Sequence, residues 1–215
     1  MSVEMNYFDW NISFPAITLC PLYKPDIIKY GTFINNTNNE TGLRVSSFMW
    51  AITAGALDTI QYMDLDVSED VLSLIHPENY TSIATSMFRK FGDSSLATNT
   101  NWSFDVEAAM TEMGMCHVIN SNVAKYDNPR KWNEMTAYVK NNVELSVFEV
   151  DFYVQLTNYA PVYKVFIHSP DEITTSTTST FTFDVEGSIT FGLSVWSSRI
   201  SEELRYKSIR LRKCR

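Results

Sequence analysis

The spacing of apolar residues divides the chain into a helical part and strand-like parts. From about residue 43 to residue 114, apolar residues recur every three or four positions, the spacing of one helix face. A second, short helix is predicted to begin at Ser68, and a third over 78–91 to end at Gly92. A fourth is predicted near 103–113. The first and clearest helical run consists of Val45, Phe48, Met49, Ile52, Ala56 and Ile60.

Strands are predicted on both sides of this helical part. The first covers Phe14 to Cys20, and a loop rich in Asn and Thr follows at 35–42. After residue 114, apolar and polar residues alternate over 148–156, and again over 181–185 and 189–195, which form a candidate hairpin. The Thr- and Ser-rich run at 174–180 is predicted to be a mobile loop. Helices and strands in separate stretches favour an α+β fold with a mostly antiparallel sheet.

Composition indicates a folded protein that does not bind nucleic acid. Of the 215 residues 45% are hydrophobic, enough for a core, and the net charge of −8 argues against a nucleic-acid partner. Residues 199–215 are basic, but apolar residues interleave with the charges, which is typical of packed structure. The longest apolar run is Phe48–Ile52, too short for the roughly 20 residues of a membrane span. No transmembrane helix or signal peptide is expected within the chain.

Motifs of catalysis are missing from the sequence. It contains no glycine-rich phosphate loop, no His-Glu-x-x-His and no Gly-x-Ser-x-Gly, and its three histidines are scattered. We therefore expect no cofactor and no metal site. Four acids lie close together, at Asp64, Asp66, Glu69 and Asp70. They fit a solvated helix start, and the alternative is a proton or cation sensor, because crowded carboxylates have raised pKa values.

Cysteine usage leaves the cellular compartment open. Cys20, Cys116 and Cys214 cannot all pair within the chain, because their number is odd. Either they are reduced thiols of a cytosolic protein, or one has its partner elsewhere. Five Asn-x-Ser/Thr sequons are weak evidence for secretion. They begin at Asn11, Asn35, Asn39, Asn79 and Asn101.

Four segments, in order, carry a resemblance to a known family. They are Phe14-Pro15-Ala16-Ile17-Thr18-Leu19-Cys20, Gly114-Met115-Cys116-His117-Val118-Ile119-Asn120-Ser121, Val165-Phe166-Ile167-His168-Ser169-Pro170-Asp171-Glu172, and Arg205 to Arg215. Together they resemble the extracellular domain of the degenerin/epithelial sodium channel superfamily, the amiloride-sensitive sodium channels. Their residues are most similar to those of the insect pickpocket branch. The chain departs from the family pattern at His117 and Ile119, where aromatics are usual, and at Ile173-Thr174, where a proline is usual.

The resemblance implies a division of the chain into four parts. Residues 1–34 are a post-membrane segment with the first palm strand, and residues 35–113 are a helical, finger-like insertion. Residues 114–198 are palm and β-ball strands, and residues 199–215 lead to a thumb. The thumb and both membrane helices are expected to be missing from the chain, which therefore resembles a fragment of a channel.

The resemblance also implies functional residues. It pairs Cys20 with Cys116 and gives Cys214 a partner outside the chain. It places the segment outside the cell at the plasma membrane, where Asn35, Asn39, Asn79 and Asn101 are exposed glycosylation candidates, and Asn11 is a poorer one. The four acids are the sensing candidates.

The implied function is a stimulus-gated, amiloride-sensitive sodium channel that works as a homo- or heterotrimer and conducts sodium, and the resemblance implies that it is not an enzyme. Two alternatives remain on the residues alone: a secreted α+β ligand-binding module and a cytosolic enzyme with reduced thiols.

Overall fold

Five antiparallel strands form the main sheet of the protein. The computed structural model describes residues 12–36, 40–56, 68–92, 96–98, 106–124, 144–145, 154–157, 159–178 and 180–183. The strands of the main sheet are β2 (Ala16–Pro21), β4 (Val106–Thr111), β5 (Gly114–Ile119), β8 (Tyr163–His168) and β9 (Thr180–Phe183). Their order in the sheet is β4–β5–β2–β8–β9, so that β2 lies in the middle.

Two smaller antiparallel pairs accompany the main sheet. Strand β1 (Ile12–Ser13) pairs with β6 (Glu144–Leu145), and β3 (Leu96–Thr98) pairs with β7 (Val154–Leu156). The β7 strand lies within the run predicted at 148–156. The predicted partner of the 181–185 strand, at 189–195, lies outside the described residues, as do residues 199–215.

The helices lie between β2 and β3 along the chain. They are α1 (Ile27–Asn36), α2 (Glu40–Ala54), α3 (Glu69–Leu74), a 3₁₀ turn (Pro77–Asn79) and α4 (Tyr80–Met87). Together with the antiparallel sheet they confirm the α+β prediction. Among the described residues, none of these helices has the length and hydropathy needed to cross a bilayer.

Helix α1 was not predicted from the sequence. Asp26 begins it, because its carboxylate accepts the amide hydrogens of Ile28 and Lys29 at 3.0 and 3.4 Å. The polar residues at 35–36, which predicted a loop, instead form the last turn of α1. Helix α2 begins at Glu40, which forms an exposed ion pair with Arg44 one turn later.

Helix α3 begins directly after Ser68, as predicted, but α4 ends earlier than Gly92. Phe88 is already extended and forms a β-bridge with Pro25. The amide of Asp26 also donates to the Met87 carbonyl at 2.8 Å, and that of Arg89 to the Lys24 carbonyl at 3.0 Å. Pairing with the chain that follows β2 therefore ends α4 before the glycine is reached.

The prediction of a fourth helix near 103–113 was wrong. Val106–Thr111 is strand β4, which forms a tight hairpin with β5, since Thr111 lies opposite Gly114. Val106 and Met110, four residues apart, share a face in a helix and also in a strand, so their spacing does not separate the two. Thr111 closes the turn, because its hydroxyl accepts the Met113 amide hydrogen at 3.1 Å and donates to the Gly114 carbonyl at 3.0 Å. The 35–113 stretch is therefore only partly helical.

The sheet has a helix side and a loop side. On the helix side, Ala84 and Phe88 pack on Met115 of β5, and all three are buried. On the loop side, Ala109 and Val118 pack on Ala124 from the loop that follows β5. A separate cluster of Phe48, Val71 and Ile75 joins α2 to α3.

At Gly114, the first residue of β5, the chain that follows α2 lies directly against the sheet. Gly114 has a φ of 77°, a conformation that strongly favours glycine. A Cβ atom there would also overlap the backbone carbonyl of Gly55, at the end of α2, and the ammonium of Lys24. Lys24 is only 5% exposed. The segment Gly114–Ser121 thus begins with glycine because the Gly55 backbone and the Lys24 side chain both lie against this position.

Gly114→Ala is predicted to destabilise the protein by about 2–4 kcal/mol, from left-handed strain and overlap with fixed backbone. Gly31→Ala is the matched control, because a Cβ at Gly31 on α1 meets nothing within 4 Å. That change should stabilise the protein by roughly 0.5–1 kcal/mol. Urea unfolding of both variants measures the difference, and equal midpoints would contradict the account of Gly114.

Candidate functional site

Strand β2 is held on both edges and both faces of the sheet. It pairs with β8 along its whole length and with β5 over Ile17–Leu19. Alternation places Thr18 and Cys20 on the loop side and Ile17 and Leu19 on the helix side. All of β2 except Ile17 is buried.

A disulfide joins β2 to β5. The register that pairs Leu19 with His117 places Cys20 opposite Cys116, and their Cα atoms are 4.5 Å apart. The bond is buried and packs against Met113 and Phe166. It closes a loop across a sequence separation of 96, which contributes roughly 4–5 kcal/mol in the chain-entropy model.

A chain of hydrogen bonds holds β2 on the loop side. His168 Nδ1 lies 2.9 Å from the Ser169 carbonyl, which only accepts, so Nδ1 carries the proton. His168 Nε2 then accepts from the Thr18 hydroxyl at 2.7 Å, and Thr18 accepts from the Thr174 hydroxyl at 2.8 Å. The neutral form of His168 satisfies every group in this chain.

Burial lowers the pKa of His168, although its bond to the Ser169 backbone and the nearby Glu172 carboxylate act in the opposite direction. The neutral ring that the hydrogen bonds require is therefore also the form that burial favours.

The loop after β8 is fixed by further contacts. The Asn122 side chain donates to Asp171 at 2.6 Å, and the Ser176 amide donates to Glu112 at 2.8 Å. Thr174, in the run predicted to be a mobile loop, is 1% exposed. Thr174 belongs to the pair Ile173-Thr174, which stands where the family usually has a proline. Its hydroxyl donates a hydrogen bond to the Thr18 hydroxyl, and this bond holds the loop against β2. A small cleft remains between this loop, β2 and the turn after β5.

A second histidine holds β2 on the helix side. His117 Nδ1 lies 2.9 Å from the Tyr159 hydroxyl, which donates to the Leu19 carbonyl at 2.9 Å. Both side chains are buried, at 2% and 5% exposure. Burial, the largest cause, lowers the pKa of His117 to about 4 and raises that of Tyr159.

Of the predicted site residues, Cys20 and Cys116 are brought together, whereas only some of the sensing and glycosylation candidates lie in the described part of the chain. Glu69 and Asp70 are exposed in the first turn of α3, whereas Asp64 and Asp66 lie outside the described residues. Asn79 is exposed on the 3₁₀ turn. Nothing is described for Asn11, Asn39, Asn101, Cys214 or the Asn35 side chain. Within the described part of the chain, no three His, Cys, Asp or Glu residues form a group that could hold a metal ion.

Sequence reasoning missed the residues that surround β2. It noted His117 only as a departure from the family's usual aromatic, and it assigned no role to Thr18, Lys24 or Tyr159. Thr18 and His168 are 150 residues apart in sequence, and His117 and Tyr159 are 42 apart. Only the sheet order brings them together, so no local motif could have revealed them.

Comparison with known proteins identifies the family. The family model described as the amiloride-sensitive sodium channel matches residues 1–215. The chain therefore belongs to the amiloride-sensitive sodium channel family. Members of this family are ion channels of the plasma membrane that conduct sodium as multi-subunit complexes, and they are not enzymes. No curated protein and no solved structure gives a significant match.

Thr18→Val is predicted to destabilise the protein by about 1–3 kcal/mol, because it leaves buried partners unsatisfied. Thr174 loses its acceptor and His168 Nε2 loses its donor. Thr182→Val, on the exposed surface of β9, is the control and should change stability by less than about 0.5 kcal/mol. Denaturant unfolding compares the two, and a neutral Thr18→Val would show that the hydrogen-bond chain does not hold the loop.

Proposed function

We propose that this chain is the extracellular portion of a stimulus-gated, amiloride-sensitive sodium channel subunit, similar to the pickpocket branch. Family membership supports the channel function. The observation that carries the extracellular placement is the buried Cys20–Cys116 disulfide, because such bonds persist in oxidising compartments and are rare in the cytosol.

In this proposal residues 1–34 contain a post-membrane segment and the first palm strand, β2, and residues 114–198 contain the other palm and β-ball strands. The stretch of 35–113 is the finger, and its last strand, β4, pairs with β5 of the palm. Residues 199–215 lead to a thumb whose cysteine pairs with Cys214. Other subunits complete a homo- or heterotrimer around the sodium pathway.

Strand β2 is well placed to carry a gating signal. It follows the proposed membrane helix directly. A disulfide and the hydrogen bonds that involve His168 and His117 hold it in place. A change in the packing of the helices or of the loop after β8 therefore alters the position of β2. The protein would bias a closed–open equilibrium in this way, with Asp64, Asp66, Glu69 and Asp70 as sensing candidates.

Loss of the disulfide is predicted to impair the channel. In cells that express the subunit containing this chain, we expect sodium current that amiloride blocks, and Cys20→Ser should lower that current through reduced surface expression or altered gating. Cys116→Ser should have the same effect, and the double variant should be no worse, because each change removes the same bond. Whole-cell recording with surface labelling measures this.

The recordings can also refute the proposed channel function. If the protein reaches the surface but carries no sodium current under any candidate stimulus or partner subunit, the function is wrong. The alternative is then a secreted ligand-binding module.

We predict that Asn79 carries an N-linked glycan, since it is exposed and begins the sequon Asn79-Tyr80-Thr81. Asn79→Gln and Thr81→Ala should each remove one glycosidase-sensitive band shift, whereas Thr81→Ser, which preserves the sequon, should keep it. Protein from cell membranes whose Asn79 peptide is entirely unglycosylated would contradict this prediction. Asn35, Asn39 and Asn101 are further candidates in the same experiment.

A further inference from the structure

A run of seven Thr and Ser residues, at 174–180, leads from the loop after β8 into β9. Part of this run, Thr175–Thr178, forms a closed turn. The Thr178 amide donates to the Thr175 carbonyl at 3.1 Å, and the Thr175 amide donates to the Thr178 hydroxyl at 3.2 Å. Because the Ser176 amide donates to Glu112 of the turn between β4 and β5, this hydroxyl-rich turn has a defined position on the sheet.

The turn exposes its two middle residues. Ser176 and Thr177 are exposed, whereas Thr175 and Thr178 are half-buried and Thr174 is buried. Within the described part of the chain, Ser176 is hydrogen-bonded through its backbone amide and not through its side chain. The tip of the turn therefore presents two neighbouring hydroxyl groups to solvent.

The hydrogen bonds of the turn leave the Thr177 proton unused. Thr175 Oγ1 lies 2.9 Å from Thr177 Oγ1 and 3.2 Å from Thr178 Oγ1. Three hydroxyls with one proton each share these two bonds, so that one proton remains. An unused proton costs least where water accepts it, which is at the exposed Thr177. Thr178 then donates to Thr175, and Thr175 donates to Thr177.

We propose that the tip of this turn, Ser176 and Thr177, is an O-glycosylation site. Runs rich in Ser and Thr are typical acceptors of O-linked sugars on proteins outside the cell. A glycosyltransferase would supply an N-acetylhexosamine from a nucleotide sugar. The anomeric carbon forms a bond to the Oγ atom, its bond to the nucleotide diphosphate breaks, and the hydroxyl proton is released. This inference rests on the proposed extracellular placement.

The turn can accept a sugar without losing a protein hydrogen bond. The proton that the sugar replaces at Thr177 is the unused one, and the Oγ1 atom still accepts from Thr175. A sugar at either middle residue faces solvent, as a bulky, hydrophilic group must. Thr174 provides the contrast, because it is 1% exposed and its proton is donated to Thr18. Modification is therefore expected at the tip and not at Thr174.

Mass spectrometry of surface-labelled protein tests the site. The subunit containing this chain is expressed in animal cells, labelled at the cell surface and purified, and its peptides are fragmented by electron transfer, which leaves O-linked sugars attached. We expect an N-acetylhexosamine, alone or extended, on Ser176 or Thr177, and none on Thr174. Selecting surface-labelled protein excludes sugars that are added in the cytosol.

Matched variants separate the hydroxyl groups from the fold of the loop. The double variant Ser176→Ala/Thr177→Ala should lose the modification, whereas Ser176→Ala/Thr177→Ser, which keeps a hydroxyl at the tip, should retain it. Both variants should reach the surface at the wild-type level, because neither side chain is buried. A modification that persists in the double alanine variant would overturn the proposal.

The N-linked glycan predicted at Asn79 separates failure of this inference from failure of the proposed function. Unmodified Ser176 and Thr177, or a sugar on Thr174 or Thr178 instead, would overturn the O-glycosylation site. If Asn79 of the same protein carries its glycan, the extracellular placement stands. If the protein does not reach the surface and lacks both modifications, the extracellular placement fails as well.

Discussion

The rest of the structure depends on the position of β2 at the centre of the sheet. The disulfide between Cys20 and Cys116 fixes that position. Once β2 is fixed against β5, the register of Leu19 with His117 follows, and β8 completes the pairing on the other edge. A one-residue slip would exchange the residues of the two faces. The covalent bond opposes such a slip, so Thr18 always meets the loop after β8 and Leu19 always meets Tyr159.

On each face of β2, a neutral histidine takes part in a chain of hydrogen bonds that reaches the strand. His168 relies on Thr18 and Thr174 on the loop side, whereas His117 relies on Tyr159 and on a backbone carbonyl on the helix side. Neither histidine faces water freely, and burial lowers the pKa of both. The hydrogen bonds that hold β2 are therefore complete at a pH at which both rings are uncharged.

Part of this arrangement could be predicted from the sequence. Apolar spacing gave the α+β class, the start of α3 and the first strand, because local periodicity reports which face of an element is buried. It assigned β4 to a helix, since residues 106 and 110 share a face in both elements, and it missed α1, whose start depends on Asp26. The histidine networks depend on sheet order, which residue spacing does not contain. The candidate site was therefore predictable only at the cysteines, through the family resemblance.

The bridge between Pro25 and Phe88 has a consequence for how the protein can vary. The chain leaves the sheet at the end of β2, Pro21, and after the helices it comes back to the same point, where Pro25 bridges Phe88 and a backbone hydrogen bond joins Lys24 to Arg89. The 64 residues in between, 25–88 of the printed sequence, thus start and end at neighbouring points. An insertion with adjacent ends can lengthen, shorten or be exchanged without moving its host. Sequence divergence within the family can therefore accumulate in the helices while the sheet that carries them keeps its form.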